Sequence, residues 1–131
     1  MPESLRVSNV ILASQQQIYD AWMSSSGHSA MTGAEATVEP QVGGRFTAWD
    51  GYIEGRTLEL DPPRRIVQAW RTAEFPEGAP DSLLVVSLEP APEGTRVELH
   101  QTEIPDGQAE RYRQGWDEFY FMPMKDWFEE G

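Results

Sequence analysis

The sequence predicts an α+β fold in which a long C-terminal helix packs against a curved antiparallel sheet of about six to seven strands. Two observations predict it. Residues 36–101 form short strand-like segments separated by Gly, Pro and Asp turns. Residues 110–130 then carry large side chains at the spacing of one helix face. That face consists of Tyr112, Trp116, Phe119, Tyr120, Pro123 and Trp127.

The first elements are a strand and one or two short helices. Residues 5–12 are apolar and β-branched enough for a strand. Ser14 begins a helix, because Gln17 three residues later completes a capping box. We expect residues 24–27 to end that helix and residues 28–31 to add one more turn before Gly33.

The middle of the chain is predicted to form antiparallel strands. Asp50-Gly51 indicates a two-residue hairpin turn, and Gly55 a bulge or a close backbone approach. In the last strand, Val97 and Leu99 alternate with polar residues, which places one side in the core. We expect strands at residues 37–39, 45–49, 52–60, 65–71, 83–88 and 95–101.

Two residues interrupt the final helix. Pro123 removes one backbone hydrogen bond and clashes with the carbonyl of Phe119, so the helix is expected to kink there. Gly115 weakens the helix by about 1 kcal/mol relative to alanine. We expect a close approach of the sheet backbone at this glycine.

Composition sets limits on the class of protein. The 131 residues suit a single domain spanning residues 1–131. There is no cysteine, and 22 acidic residues against 10 basic ones give a net charge of −12. Such a charge disfavours nucleic acid and anionic lipid as partners. No apolar stretch approaches the length of a membrane span, and the N-terminus does not read as a signal peptide, so the prediction is a cytoplasmic protein.

Several short motifs occur in a characteristic order. They are Gly43-Gly44-Arg45-Phe46, Asp50-Gly51 with Gly55, Leu60-x-Pro62 before Trp70-Arg71, Pro76-Glu77-Gly78, Arg113-Gln114-Gly115-Trp116 and Pro123-x-Lys125. Together they resemble the activator of heat shock protein 90 ATPase family, in its C-terminal-domain type. This family belongs to the START-like (SRPBCC) superfamily. The resemblance implies a helix-grip fold and a co-chaperone role in the stress response. Eukaryotic co-chaperones of this family carry a separate N-terminal domain. The resemblance covers roughly residues 5–129, so we expect this chain to lack that domain.

The aromatic helix face and the inward strand positions define a candidate cavity for a small apolar ligand. The alternative is that these side chains fill the core and leave no space. The predicted lining is Phe46, Ala48, Ile66, Trp70, Leu84, Val86, Val97, Leu99, Trp116, Phe119 and Tyr120.

Catalytic signals are sparse. The two histidines, His28 and His100, lie in no catalytic motif, and no metal-ligand spacing occurs, so we expect no metal and no cofactor. The favoured reading is a non-enzymatic binding domain that holds an apolar ligand, docks on a chaperone or other protein, or does both. The alternative is a cyclase- or hydrolase-type enzyme with a polar pocket on the same fold, which inward-pointing ionisable residues would favour.

Overall fold

The computed structural model describes the backbone of residues 2–130 and the side chains of residues 2–129. Met1 and Gly131, the ends of the predicted domain, lie outside the described residues. The elements in chain order are β1 (Glu3–Ile11), α1 (Gln15–Trp22), α2 (Ser25–Thr32), β2 (Thr37–Val38), β3 (Arg45–Ala48), β4 (Ile53–Asp61), β5 (Arg65–Thr72), β6 (Ser82–Ala91), β7 (Gly94–Ile104), α3 (Ala109–Trp116), a π-helical turn (Asp117–Phe121) and α4 (Met122–Glu130).

The strands form one antiparallel sheet in the order β1-β7-β6-β5-β4-β3-β2. Consecutive strands from β2 to β7 are neighbours, and β1 pairs with β7, so the two short helices carry the chain from one edge to the other. The inner face shares one hydrophobic core with α1, α2 and the C-terminal helix. This arrangement confirms the predicted α+β helix-grip fold.

Residues next to each short helix cap its ends. Ser14 and Gln17 form the predicted capping box at the start of α1. Residues 24–27, expected to end a helix, instead begin the next one. The Ser24 hydroxyl accepts a hydrogen bond from the N–H of Gly27 at 3.0 Å and thereby caps α2. Gly33, with φ of 84°, ends α2 in the left-handed conformation that glycine tolerates best.

The hairpin between β3 and β4 is wider than predicted. Ala48 pairs with Ile53, so four residues form the loop instead of the two at Asp50-Gly51. Trp49 and Asp50 have φ values of 52° and 59°, and Gly51 follows at 90°. Asp50 makes two hydrogen bonds with Glu35: its N–H donates to the Glu35 carbonyl, and its side chain accepts from the Glu35 N–H. The positive φ of Trp49, next to Asp50, is a backbone conformation that costs an aromatic residue energy.

A π-helical turn lies just before Pro123, where we predicted a kink. The N–H of Met122 bonds the carbonyl of Asp117, five residues earlier, just before the proline that has no N–H to offer. The extra residue rotates the helix, so the predicted apolar face is wrong at Phe119 and Trp127, although Tyr120 is buried as predicted. Phe119 is 50% exposed and Trp127 is 39% exposed. Phe121 and Met124 are buried in their place.

Gly55 confirms the expected close approach. A Cβ atom there would lie 1.9 Å from the Ala69 carbonyl oxygen. The irregularity in the β4–β5 register lies further along, between Thr57 and Glu59. Among the described residues, no helix is both long enough and apolar enough to cross a membrane.

Candidate functional site

An open cavity lies between the C-terminal helix, β5 and the β3–β4 hairpin. Its volume is about 270 Å³. The residues around it are aromatic with two exceptions, an isoleucine and a glycine. They are Trp49, Tyr52, Ile53, Trp70, Tyr112, Gly115, Trp116, Phe119 and Tyr120. We call this space the aromatic cavity.

The buried wall of the cavity is a cluster of rings in mutual contact. Trp70 on β5 lies 5.4 Å from Trp116 and 5.2 Å from Tyr112, measured between ring centroids. Trp116 lies 4.8 Å from Tyr120. All four are at most 5% exposed. Tilted and edge-on contacts of this kind stabilise aromatic clusters beyond the burial of area, so the wall is held together by its own ring contacts.

The polar atoms of Tyr112, Trp116 and Tyr120 on the wall bond protein partners. The Trp116 indole N–H donates to Gln101 Oε1 at 2.9 Å, and Gln101 in turn donates to the Ser82 hydroxyl. The Tyr112 hydroxyl donates to Gln108 Oε1 at 2.6 Å and accepts from Thr72. These bonds leave the rings themselves as the contact surface of the cavity, which therefore favours an apolar occupant.

Tyr120 is anchored by a buried histidine that the sequence reasoning missed. His28 on α2 bonds the Trp22 carbonyl through Nδ1 at 3.0 Å, which places a proton on that nitrogen. Nε2 therefore accepts from the Tyr120 hydroxyl at 2.7 Å. Burial lowers the pKa of His28, opposed by the bond to the carbonyl, and burial raises the pKa of Tyr120. His28 is 92 residues from Tyr120 in sequence, and no local pattern marks the pair.

Tyr52, Glu74 and Arg111 form a hydrogen-bonded, charged cluster, which we call the clasp, at the edge of the aromatic cavity. The Tyr52 hydroxyl donates to Glu74, and Arg111 Nη1 lies 2.6 Å from the same carboxylate. Burial and the bond to Glu74 raise the pKa of Tyr52 to about 12. The Tyr52 hydrogen bond lowers the pKa of Glu74; desolvation opposes it, and the charge and hydrogen bond of Arg111 add to the lowering. The clasp joins the β3–β4 hairpin, the β5–β6 loop and α3.

The outer rim consists of Trp49 and Phe119, whose ring centroids are 5.2 Å apart in an edge-on contact. Phe119 is half exposed, and Trp49 is partly buried. The indole nitrogen of Trp49 is buried and has no hydrogen-bond partner among the residues that the structure describes. One of the two rings of this rim therefore faces solvent.

Gly115 faces the open space. A Cβ atom there would meet only Phe119 Cδ2, at 3.7 Å, which is an ordinary van der Waals contact. The expected approach of the sheet backbone is therefore wrong. The absence of a side chain at Gly115 leaves room in the aromatic cavity.

Four of the eleven predicted cavity residues line the aromatic cavity, namely Trp70, Trp116, Phe119 and Tyr120. The other seven lie in the core at 4% exposure or less and do not line it: Phe46, Ala48, Ile66, Leu84, Val86, Val97 and Leu99. Alternation identified their inward direction correctly, but side chains fill the space above them. Enlarging Val86 or Leu99 would overpack the core instead of filling the cavity.

Comparison with known proteins identifies relatives over nearly the whole chain. The family model described as Activator of Hsp90 ATPase homolog 1-like protein matches residues 12–129. The human activator of 90 kDa heat shock protein ATPase homolog 1 is 31% identical over 124 residues, 95% of this chain and 36% of the human protein. A Dictyostelium discoideum homologue is 28% identical over 114 residues, 87% of this chain and 30% of its own length. The chain thus spans about a third of these curated relatives.

Solved structures agree with the fold. A Plasmodium falciparum Hsp90 activator superposes with a TM-score of 0.85 at 23% identity, covering 94% of both chains. A Mesorhizobium loti protein superposes with a TM-score of 0.80 at 20% identity, covering 98% of both chains. With a family model matching most of its length, this chain belongs to the Activator of Hsp90 ATPase homolog 1-like family.

Proposed function

We propose that this protein binds a small apolar ligand, of one or two rings or a short acyl chain, in the aromatic cavity. The observation that carries the proposal is Gly115. A glycine inside a helix costs about 1 kcal/mol relative to alanine, yet alanine would fit here without a clash. A cavity kept open at a cost in stability is expected where the space itself is used.

The size and chemistry of the cavity support the same ligand class. An apolar cavity of about 150 Å³ accommodates benzene, so about 270 Å³ suits a somewhat larger molecule. Among the described residues, the lining contains no carboxylate, amine or imidazole, and its ionisable groups are the hydroxyls of Tyr52, Tyr112 and Tyr120. Each hydroxyl bonds a protein partner, and burial raises the pKa of each. Such a lining supports binding over the cyclase- or hydrolase-type chemistry considered as the alternative, since that chemistry needs an acid or base that is free to face the substrate.

A panel of indole, naphthols, octanoic acid and decanoic acid tests the proposal by thermal shift and by tryptophan fluorescence. A ligand that binds only the folded state raises the melting temperature. Trp70 and Trp116 lie on the wall and report occupancy directly. Burial of apolar surface should also give a negative heat-capacity change in calorimetry.

Two leucine substitutions provide the matched comparison. Gly115→Leu places a side chain in the cavity and should abolish the melting shift. Gln114→Leu adds a leucine to the exposed face of the same helix turn and should leave the shift unchanged. If no compound shifts the melting temperature of the wild type, or if Gly115→Leu responds as the wild type does, the proposal is wrong.

A second function, chaperone accessory, is supported by the family match and by the names of the relatives. We propose that the domain docks on a 90 kDa heat shock protein and stimulates its ATPase. The test adds the purified protein to such a chaperone from the same host and measures ATP turnover and co-elution. Stimulation together with co-elution would support docking. Unchanged turnover and separate elution would overturn it.

A further inference from the structure

A second concave feature lies on the outer face of the sheet, away from the aromatic cavity. Arg45 on β3 pairs directly with Arg56 on β4, and Arg71 lies on the next strand, opposite Glu54. These arginines surround a hollow of about 250 Å³ whose floor is Gly55 and Ala69. We call Arg45, Arg56 and Arg71 the arginine patch.

Arg45 and Arg56 lack ion-pair partners. Six other arginines each lie within 4.0 Å of a carboxylate oxygen. Arg45 and Arg56 make no such pair with any described residue. Arg71 pairs with Asp81 at 2.9 Å and also donates to the Ala79 carbonyl. The exposed carboxylate of Glu54 shares the hollow without forming an ion pair among the described residues.

The placement of these two cations is unfavourable for the isolated fold. Like charges directly opposite on neighbouring strands repel each other. The chain carries 22 acidic residues that could have offset the repulsion. The nearby carboxylate of Glu39 instead accepts the backbone N–H of Arg45, at 2.8 Å. Two exposed guanidinium groups are thus left free to hold an outside anion.

We propose that the arginine patch binds an extended, acidic segment of a partner protein. Guanidinium groups form paired hydrogen bonds with carboxylates, which suits Glu and Asp side chains. Leu58 and Leu83, exposed at 41% and 37%, lie on strands next to the hollow and offer apolar contacts to the same segment. A small free anion would use the arginines alone.

Charge complementarity fixes the position of the segment. With a net charge of −12, most of the protein surface repels an acidic chain. Among the described residues, the hollow at the arginine patch holds three cations against two carboxylates, so an acidic chain meets net positive charge there. Repulsion elsewhere therefore adds specificity for this face, because a misplaced acidic segment is disfavoured.

The test measures binding of a fluorescein-labelled synthetic peptide of alternating Glu and Leu by anisotropy at low and at physiological salt. The matched peptide carries Gln in place of every Glu. We expect binding of the Glu peptide only, weakened by salt. The double variant Arg45→Gln/Arg56→Gln should lose at least about tenfold in affinity, because two charge-assisted contacts disappear together.

Arg96→Gln is the control, since Arg96 is an exposed arginine on β7 and its substitution removes one positive charge outside the arginine patch. It should bind the Glu peptide within about twofold of the wild type. The melting temperature of the double variant should equal or exceed that of the wild type, since repulsion is removed.

The proposal is overturned if the wild type does not bind the Glu peptide, if the double variant binds it equally well, or if inorganic phosphate binds the arginine patch while the peptide does not. It does not rest on the aromatic cavity, so Gly115→Leu should leave peptide binding unchanged.

Discussion

Gly115→Ala should stabilise this protein while shrinking its cavity. Gly115 lies within α3 and has no positive φ, so alanine adopts its backbone without strain. The added methyl group meets Phe119 Cδ2 at 3.7 Å and nothing closer outside its own helix turn. The full helix-propensity difference of about 1 kcal/mol should therefore appear in the free energy of unfolding. For a chain of this size, that is a rise in melting temperature of about 3–5 °C.

Urea denaturation checks the magnitude. The midpoint should rise while the m-value stays the same, because the exposed surface on unfolding hardly changes. The same variant should bind the cavity ligand more weakly than the wild type, and Gly115→Leu should not bind it at all. A midpoint that falls instead would contradict the geometry, because it would mean that a neighbour already occupies the space next to Gly115.

Three further predictions address the helix and its anchor. Trp116→Ala should cost about 3–5 kcal/mol, since it removes a 3%-exposed ring and leaves the Gln101 carbonyl oxygen without its donor; a loss below about 1 kcal/mol in urea would contradict this packing. Because burial lowers the pKa of His28, the unfolded chain binds a proton at His28 at a higher pH than the folded protein does. The stability that neutral His28 contributes is therefore fully present above about pH 6.5 and is lost as the pH falls toward the folded pKa. His28→Gln should therefore lose less stability than the wild type between pH 7.5 and about 5 in denaturant titrations; equal losses would contradict the lowered pKa of His28 in the folded protein. Deleting residues 110–131 should abolish cooperative unfolding, because the inner face of the sheet loses its cover; a sharp melting transition in the truncated chain would refute this.

Local signals in the sequence predicted most of the elements. The Ser14–Gln17 capping box and the alternation of Val97 and Leu99 each depend on residues a few positions apart. Their chemistry is therefore visible without any tertiary contact. Gly55 was also interpretable, because a missing side chain within a strand indicates close packing wherever the strand lies.

The phase of the C-terminal helix was not predictable by the same means. Periodicity assumes a constant rotation per residue, and the π-helical turn before Pro123 inserts one extra residue into that count. Proline indicated a disturbance of the helix, but several geometries resolve the clash of its ring with the preceding turn. The exposure of Phe119 and the burial of Phe121 followed from the geometry that the packing selects.

The sequence by itself determined the order of the elements, the inward faces of the strands and the family, since these follow from short-range pattern and from motif order. Only the tertiary structure decided which inward residues line open space. Ile66 and Trp70 point to the same side of β5, yet Ile66 is covered by its neighbours while Trp70 borders the aromatic cavity. Only the tertiary structure shows that the missing side chain of Gly115 leaves space in the aromatic cavity and that His28 bonds Tyr120. A void or a long-range hydrogen bond depends on the relative positions of several elements, and these positions are set by packing across the whole core.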